Sequence, residues 1–237
     1  MTIKNITNYI EELAPLKYAE DFDNVGLLVG NYETKVTNVL VTLDTLEETV
    51  DEAIAQNCNL IVSFHPIIFS GLKKINGNSY VERVVLKAIK NDIAIYAIHT
   101  ALDNIEKGVS GKICEKLGLL NTQILIPKSG IDPNENIGMG MLGELPTEMN
   151  ELDFLQFVKK NMNTACIRHS EFLNKPIKKV AVLGGSGSFA ISEAINSKAD
   201  AYISSDFKYH EFFKAEKQIL LADIGHYESE QFTKNLL

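Results

Sequence analysis

Apolar residues in this chain gather into short runs separated by amphipathic stripes. Runs at 24–30, 37–43, 60–63, 93–98, 178–183, 201–204 and 218–223 are four to seven residues long and rich in Val, Ile and Leu, so they read as strands. Between them lie stretches of helical spacing. In 7–14 the apolar positions are Tyr9, Ile10 and Leu13, and in 80–90 they are Val81, Val84, Val85 and Ala88. Segments 46–55, 108–117, 152–162, 189–196 and 209–216 are predicted helices too. Strands that alternate with helices of about ten residues argue for parallel or mixed sheets covered by helices, an α/β fold.

The pattern occurs twice. Val39-Leu-Val-Thr-Leu-Asp44 lies 22 residues before Ile61-Val-Ser-Phe-His-Pro66, and Val180-Ala-Val-Leu-Gly-Gly185 lies 22 before Tyr202-Ile-Ser-Ser-Asp-Phe207. Both offsets between the halves are 141 (180 − 39 and 202 − 61), so a strand, helix, strand unit is duplicated without insertion. A third strand in each half leads into a His-x-x-x-acid tetrad: His99-Thr-Ala-Leu-Asp103 and His226-Tyr-Glu-Ser-Glu230. Aligning His99 with His226 changes the offset to 127 (226 − 99), which makes the second copy 14 residues shorter before its third strand, the missing piece falling near 71–80. Pro, Gly, Asn and Ser concentrate at 126–140, which predicts a connecting segment between a first α/β repeat, 1–125, and a second, 141–237, the two being intertwined.

With 237 residues the chain can bury a substantial core, as one large domain or two interlocked ones of about 100 residues each. Its net charge is −8, and the densest basic runs are the pairs Lys73-Lys74 and Lys178-Lys179, so it lacks the positive surface of a phosphate-backbone binder. Nucleic acid is not an expected partner. Cys58, Cys114 and Cys166 are odd in number, far apart and free of any Cys-x-x-Cys pair, which points to a reducing compartment. The first thirty residues carry five acidic side chains and no segment of signal-peptide form, and no run approaches the length of a membrane span. The expectation is a cytoplasmic protein without membrane attachment.

The candidate chemistry lies just past the apolar runs. Imidazole and carboxylate together form a ligand set that zinc, manganese, iron and cobalt accept, and four residues make one helical turn or a tight loop, so each tetrad is a candidate metal-binding pair. His65 follows an apolar run and precedes Pro66, whose fixed φ holds the imidazole at the strand's end; a lone His-Pro there is more often structural, and the two tetrads are what make it a ligand candidate. Asp103 and Glu230 have a plainer reading as caps of following helices, which leaves their histidines unexplained. His99 is either a ligand or a residue that orients Asp103. In Gly184-Gly-Ser-Gly-Ser188, between a strand and a helix, the amides of Gly184, Gly185, Ser186 and Gly187 either face a substrate phosphate or form a tight turn. The loop matches neither the dinucleotide fingerprint nor the P-loop. His210, on a predicted helix, is either a proton carrier or a surface residue.

Six motifs in order along nearly the whole chain carry a family resemblance. Asp23-Asn-Val-Gly-Leu-Leu-Val-Gly30, Ser63-Phe-His-Pro-Ile-Ile-Phe69, Ile98-His-Thr-Ala-Leu-Asp103, Leu183-Gly-Gly-Ser-Gly187, Ser205-Asp-Phe-Lys-Tyr-His210 and Gly225-His-Tyr-Glu-Ser-Glu230 resemble those of the Nif-three-like family, whose members are labelled GTP cyclohydrolase I type 2 homologues. The resemblance implies two interlinked α/β domains with mixed sheets flanked by helices, a homo-oligomer in the form of a toroidal hexamer, and a dinuclear metal site inside the ring. It places ligands at His65, Asp103, His226 and Glu230, with the carboxylates as bridges and up to two divalent ions per chain, zinc first, with manganese, iron or cobalt as the others.

There are two departures. The family pattern has two histidines before the proline, and here the first is Phe64, which removes one imidazole: either His99 or water takes its place, or a single ion dominates. Longer relatives also carry an extra domain near the middle, where this chain passes from Pro127 to Met139 within a few residues. The function implied is a metal-dependent hydrolase acting on a small phosphorylated substrate, a nucleotide or phosphoester, with His99 or His210 moving protons and the glycine loop holding a phosphate. The rival reading is a non-catalytic metal-binding scaffold, regulator or metal-insertion partner.

Overall fold

Strand and helix alternate in the computed structural model, which describes residues 1–130 and 135–237. The first of two units, residues 1–102 with 233–237, contains α1 (Ile3–Leu13), β1 (Gly26–Val29), β2 (Val39–Thr42), α2 (Glu47–Ala55), β3 (Leu60–Ser63), α3 (Tyr80–Lys90), β4 (Ala94–Ala97) and most of α4 (His99–Asp103). Its sheet has the order β1-β4-β3-β2, parallel over β2, β3 and β4, with β1 antiparallel to β4. The second unit, residues 103–232, contains α5 (Val109–Leu117), β5 (Leu120–Pro127), β6 (Gly138–Met149), α6 (Glu151–Asn161), β7 (Arg168–His169), β8 (Ile177–Ser186), α7 (Ile191–Asn196), β9 (Ala201–Ser205), β10 (Leu220–Asp223) and α8 (His226–Glu230). Its sheet has the order β5-β6-β8-β9-β10-β7, parallel over β8, β9 and β10. The fold is mixed α/β, two mixed sheets flanked by helices.

Local chemistry explains the element ends. At the start of α3 the Ser79 side chain accepts the Glu82 amide, and at the start of α6 Asn150 accepts that of Asp153. Lys87 and Lys90 close α3 where the helix dipole favours cations. The parallel strands lack polar alternation because both faces of the sheet are covered. In the second unit Val180, Val182, Ala201, Ile203, Leu220 and Ala222 share a core with Ile113 and Leu117 of α5 and Phe154 and Val158 of α6. The intervening residues Ala181, Leu183, Tyr202 and Leu221 share another with Ile191 and Ala194 of α7.

Strand registers establish the duplication. Val39 pairs with Leu60 and Val180 with Ala201, so both strands of each pair are related by the offset of 141. The repeat reaches further than the sequence suggested, because the antiparallel edge strand is also repeated: β1 flanks β4 as β7 flanks β10. The expected shortening of 14 residues is corrected to 15. Leu60 pairs with Ala94 and Ala201 with Leu220, so the third strands differ by 126 (220 − 94), and one residue is regained in Ile224-Gly225, which stands where the first copy has Ile98 alone. The excess of the first copy lies mainly at 64–79, between β3 and α3.

The segment 126–140, expected to connect the repeats, holds the ends of β5 and β6, with Pro127 opposite Gly138. Its residues 131–134 lie outside the described residues. The division between the units falls inside α4. The predicted helix at 209–216 is a 3-10 helix, Tyr209–Ala215, and that at 189–196 opens with a 3-10 turn, Ser188–Ala190. No helix among the described residues is long and apolar enough to cross a membrane.

Ile203 is fully buried on a central strand, so Ile203→Ala is expected to cost about 2–5 kcal/mol, read as a lowered urea midpoint in circular dichroism. A cost below about 1 kcal/mol would contradict the packing of β9.

Candidate functional site

In each sheet the parallel strands deliver chemically active residues at their carboxyl ends, where open α/β sheets collect ligands. His65 follows β3 and His99 follows β4; Asp206 follows β9 and His226 follows β10.

In the first unit both imidazoles are held by carboxylates. Asp44 Oδ1 lies 2.9 Å from His65 Nδ1, and Asp23 Oδ1 lies 2.9 Å from His99 Nδ1. The Asp23 side chain is wholly buried and also accepts the Thr100 amide (3.1 Å) and the Thr100 hydroxyl. Burial alone would raise its pKa; the hydrogen bonds from His99 and Thr100 outweigh it and bring the carboxyl down to about 2. Asp23 is therefore ionised at neutral pH and accepts, so the His99 nitrogen that faces it, Nδ1, carries a proton. The rings of His65 and His99 stand edge to face at 5.2 Å, and the buried Phe64 ring lies 5.5 Å from His99. His99 has φ +24°, a strained value for a non-glycine residue.

In the second unit the tetrad is a single helical turn. His226 opens α8 and Glu230 ends it, so the two side chains share a face, with Nε2 3.3 Å from Glu230 Oε2. Asp206, at φ +59°, holds His226 Nδ1 at 2.7 Å. Glu230 is 3% exposed, and Gly185 makes room for it: a Cβ there would stand 2.5 Å from Glu230 Oε1 and 3.5 Å from His226 Nε2. The hydrogen bond to Glu230 raises the His226 pKa, burial opposes it and Asp206 adds to it, with the net result about 9.

Several expectations are thereby revised. Neither Asp103 nor Glu230 caps a following helix, because each ends the short helix that its histidine begins. The anion subsite expected of the glycine loop finds its amides engaged. Gly184 N–H donates to Ser110 Oγ, Gly185 N–H to Ser229 Oγ and Gly187 N–H to the Ser205 carbonyl. The Ser186 residue between them is exposed. A Cβ on Gly187 would meet Ser204 Oγ at 2.0 Å, so close packing accounts for that glycine. His210 is exposed, with its ring against Tyr209 and Phe213, and none of the hydrogen bonds among the described residues ties it to Asp206 or His226. Asp23 and Asp44 are not among the sequence-predicted site residues, although each stands inside or beside a quoted motif; Asp206 lies in the motif that ends in His210.

In metal-free protein the raised pKa has a definite sign. The His226 interaction contributes its full stability below 6.5, the ordinary histidine value, and loses it as pH rises through about 9. The stability gap between wild type and His226→Gln is expected to shrink across pH 6.5–9, measured by urea unfolding after chelation; a gap constant over that window would refute the pairing.

All residues, 1–237, match the family described as Duf34/NIF3 (NGG1p interacting factor 3). The GTP cyclohydrolase 1 type 2 homolog of Clostridium perfringens is 36% identical over 232 residues, 97% of this chain and 87% of the relative. Alignment with the homolog of Staphylococcus epidermidis runs over 328 positions, more than the 237 residues present here, so that relative carries inserted sequence. Among solved structures, a Bacillus cereus protein related to NIF3 superposes with TM-score 0.90 at 26% identity, covering 97% of this chain and 89% of its own. A Staphylococcus aureus hypothetical protein gives TM-score 0.89 at 30% identity, with 97% and 87% covered. With the family pattern matched from first residue to last, the chain belongs to the Duf34/NIF3 family.

Proposed function

We propose that this chain binds a divalent cation through His226 and Glu230 and uses it to hydrolyse a phosphoester or nucleotide. One observation carries the reading: a buried carboxylate faces an imidazole nitrogen at 3.3 Å, over a glycine that leaves no side chain in the way, while a second carboxylate fixes the other nitrogen. The donors fit such an ion. Nitrogen and carboxylate oxygen without thiolate suit zinc first, with manganese, iron or cobalt as alternatives, and a carboxylate on the far nitrogen is the usual support of a ligating histidine. Asp44 prepares His65 in the same way, and the family resemblance adds His65 and Asp103 as further donors.

A divalent cation supplies Lewis acidity to a phosphoryl oxygen and to an attacking water. The protein's own groups do the rest. Asp206 orients the imidazole, and Glu230 contributes negative charge. The name of the curated relatives, GTP cyclohydrolase 1 type 2 homolog, favours a nucleotide among the substrates to try first.

Elemental analysis of the purified protein is expected to find divalent metal in wild type and to find most of it lost in His226→Ala and Glu230→Gln. Turnover of a panel of nucleotides and phosphoesters is expected to stop with chelator and with Glu230→Gln. Undiminished metal in His226→Ala would remove the assignment, and bound metal without turnover on the whole panel would replace the hydrolase by a metal-binding scaffold.

A further inference from the structure

Asp223 ends β10 nearly buried, and its two oxygens grip the two loops that carry the second unit's site. Oδ2 accepts the N–H of Phe207 at 3.0 Å, the residue directly after Asp206. Oδ1 accepts the N–H of Gly225 at 3.1 Å, the residue directly before His226. One carboxylate thus ties together the backbone on either side of the Asp206–His226 contact. Arg168 completes the arrangement. It stands opposite Asp223 in the two-residue strand β7, and its Nη2 donates both to Asp223 Oδ2 and to the Phe207 carbonyl, while its guanidinium lies 5.3 Å from the centre of the Phe212 ring. Phe207 is therefore held at both its amide and its carbonyl. Asp206, at φ +59°, sits in a left-handed conformation that a short loop keeps only when its neighbours are pinned.

We propose that Arg168 and Asp223 form a positioning clamp for the cation site: they hold Asp206 against His226, and through it set the orientation and tautomer of the imidazole, without touching the ion. This rests on the cation reading given above. A carboxylate that supports a ligating histidine typically contributes 10- to 100-fold in metal affinity, and a loop that lets that carboxylate drift forfeits a comparable amount. The two-residue strand β7, both residues exposed, sets this arginine beside β10 within reach of the loop after β9.

The test uses the full chain. Arg168→Met keeps the aliphatic stem and removes the guanidinium, and the Arg168 side chain is 56% exposed, so the variant is expected to keep its fold, which circular dichroism checks. In metal-free protein at fixed pH, the nitrogen resonances of the His226 ring in Arg168→Met are expected to move toward those of Asp206→Asn. Zinc affinity, read by competition with a chelating dye, is expected to fall about 10- to 100-fold, and Arg168→Lys to recover part of it. The double variant Arg168→Met with Asp206→Asn should bind no more weakly than Asp206→Asn alone, since the clamp acts through that acid. Additive losses, or His226 resonances and affinity unchanged in Arg168→Met, would overturn the proposal. Asp223→Asn, which keeps one acceptor oxygen, is read in the same way and decides the matter should the Met variant misfold. If wild type takes up no zinc, the cation reading falls, and the metal-free resonances still judge the clamp.

Discussion

A neutral imidazole has two nitrogens and one proton, so whatever holds that proton decides which nitrogen offers its lone pair. This chain sets an acid against Nδ1 three times, with Asp44 on His65, Asp23 on His99 and Asp206 on His226. On His226, whose pKa is about 9 and whose Nε2 faces Glu230, a second proton must also leave before that nitrogen can offer its lone pair. The sheets matter to function because they make those pairings possible: strand ends set the positions, and short hydrogen-bonded loops turn the acid toward its ring. A buried Asp23 at a pKa of about 2 is the clearest instance, since only an ionised carboxylate is a pure acceptor.

The duplicated halves use one plan with different side chains. By the offset of 141, position 65 corresponds to 206 and position 44 to 185. The first copy has His65 where the second has Asp206, and Asp44 where the second has Gly185. The glycine at 185 leaves space that Glu230 occupies, while the first copy fills its corresponding position with the acid that holds His65. Such a division follows from duplication, because a repeated scaffold fixes where side chains emerge and leaves their chemistry free to diverge.

Much of the fold was legible because its parallel strands are covered on both faces and therefore read as unbroken apolar runs; the run at 60–63 matches β3, Leu60–Ser63, residue for residue. Where cover is one-sided, or glycine and polar residues dilute the run, the signal failed. β6, with Gly138, Gly140, Gly143 and Pro146 among its twelve residues, gave no strand signal, its first three residues falling in the predicted connecting segment, and β7, at two residues, has no periodicity to detect. The histidines and their partner acids were visible as a spacing of four, because one helical turn is local. The orienting acids were not, because Asp23 meets His99 across 76 residues and Asp206 meets His226 across 20, distances that only tertiary structure closes. The glycine loop misled for a related reason: space for a phosphate and space for a neighbouring side chain demand the same residue.

The short strand β7 has one more consequence. A sheet rim is a row of unsatisfied amides and carbonyls that invites a stray chain to add itself. Along β10 that invitation is withdrawn by a stub of only two residues, Arg168 and His169, whose guanidinium is already engaged with Asp223. The rim on that side therefore offers too few open rungs, and too much charge, to seed a foreign strand.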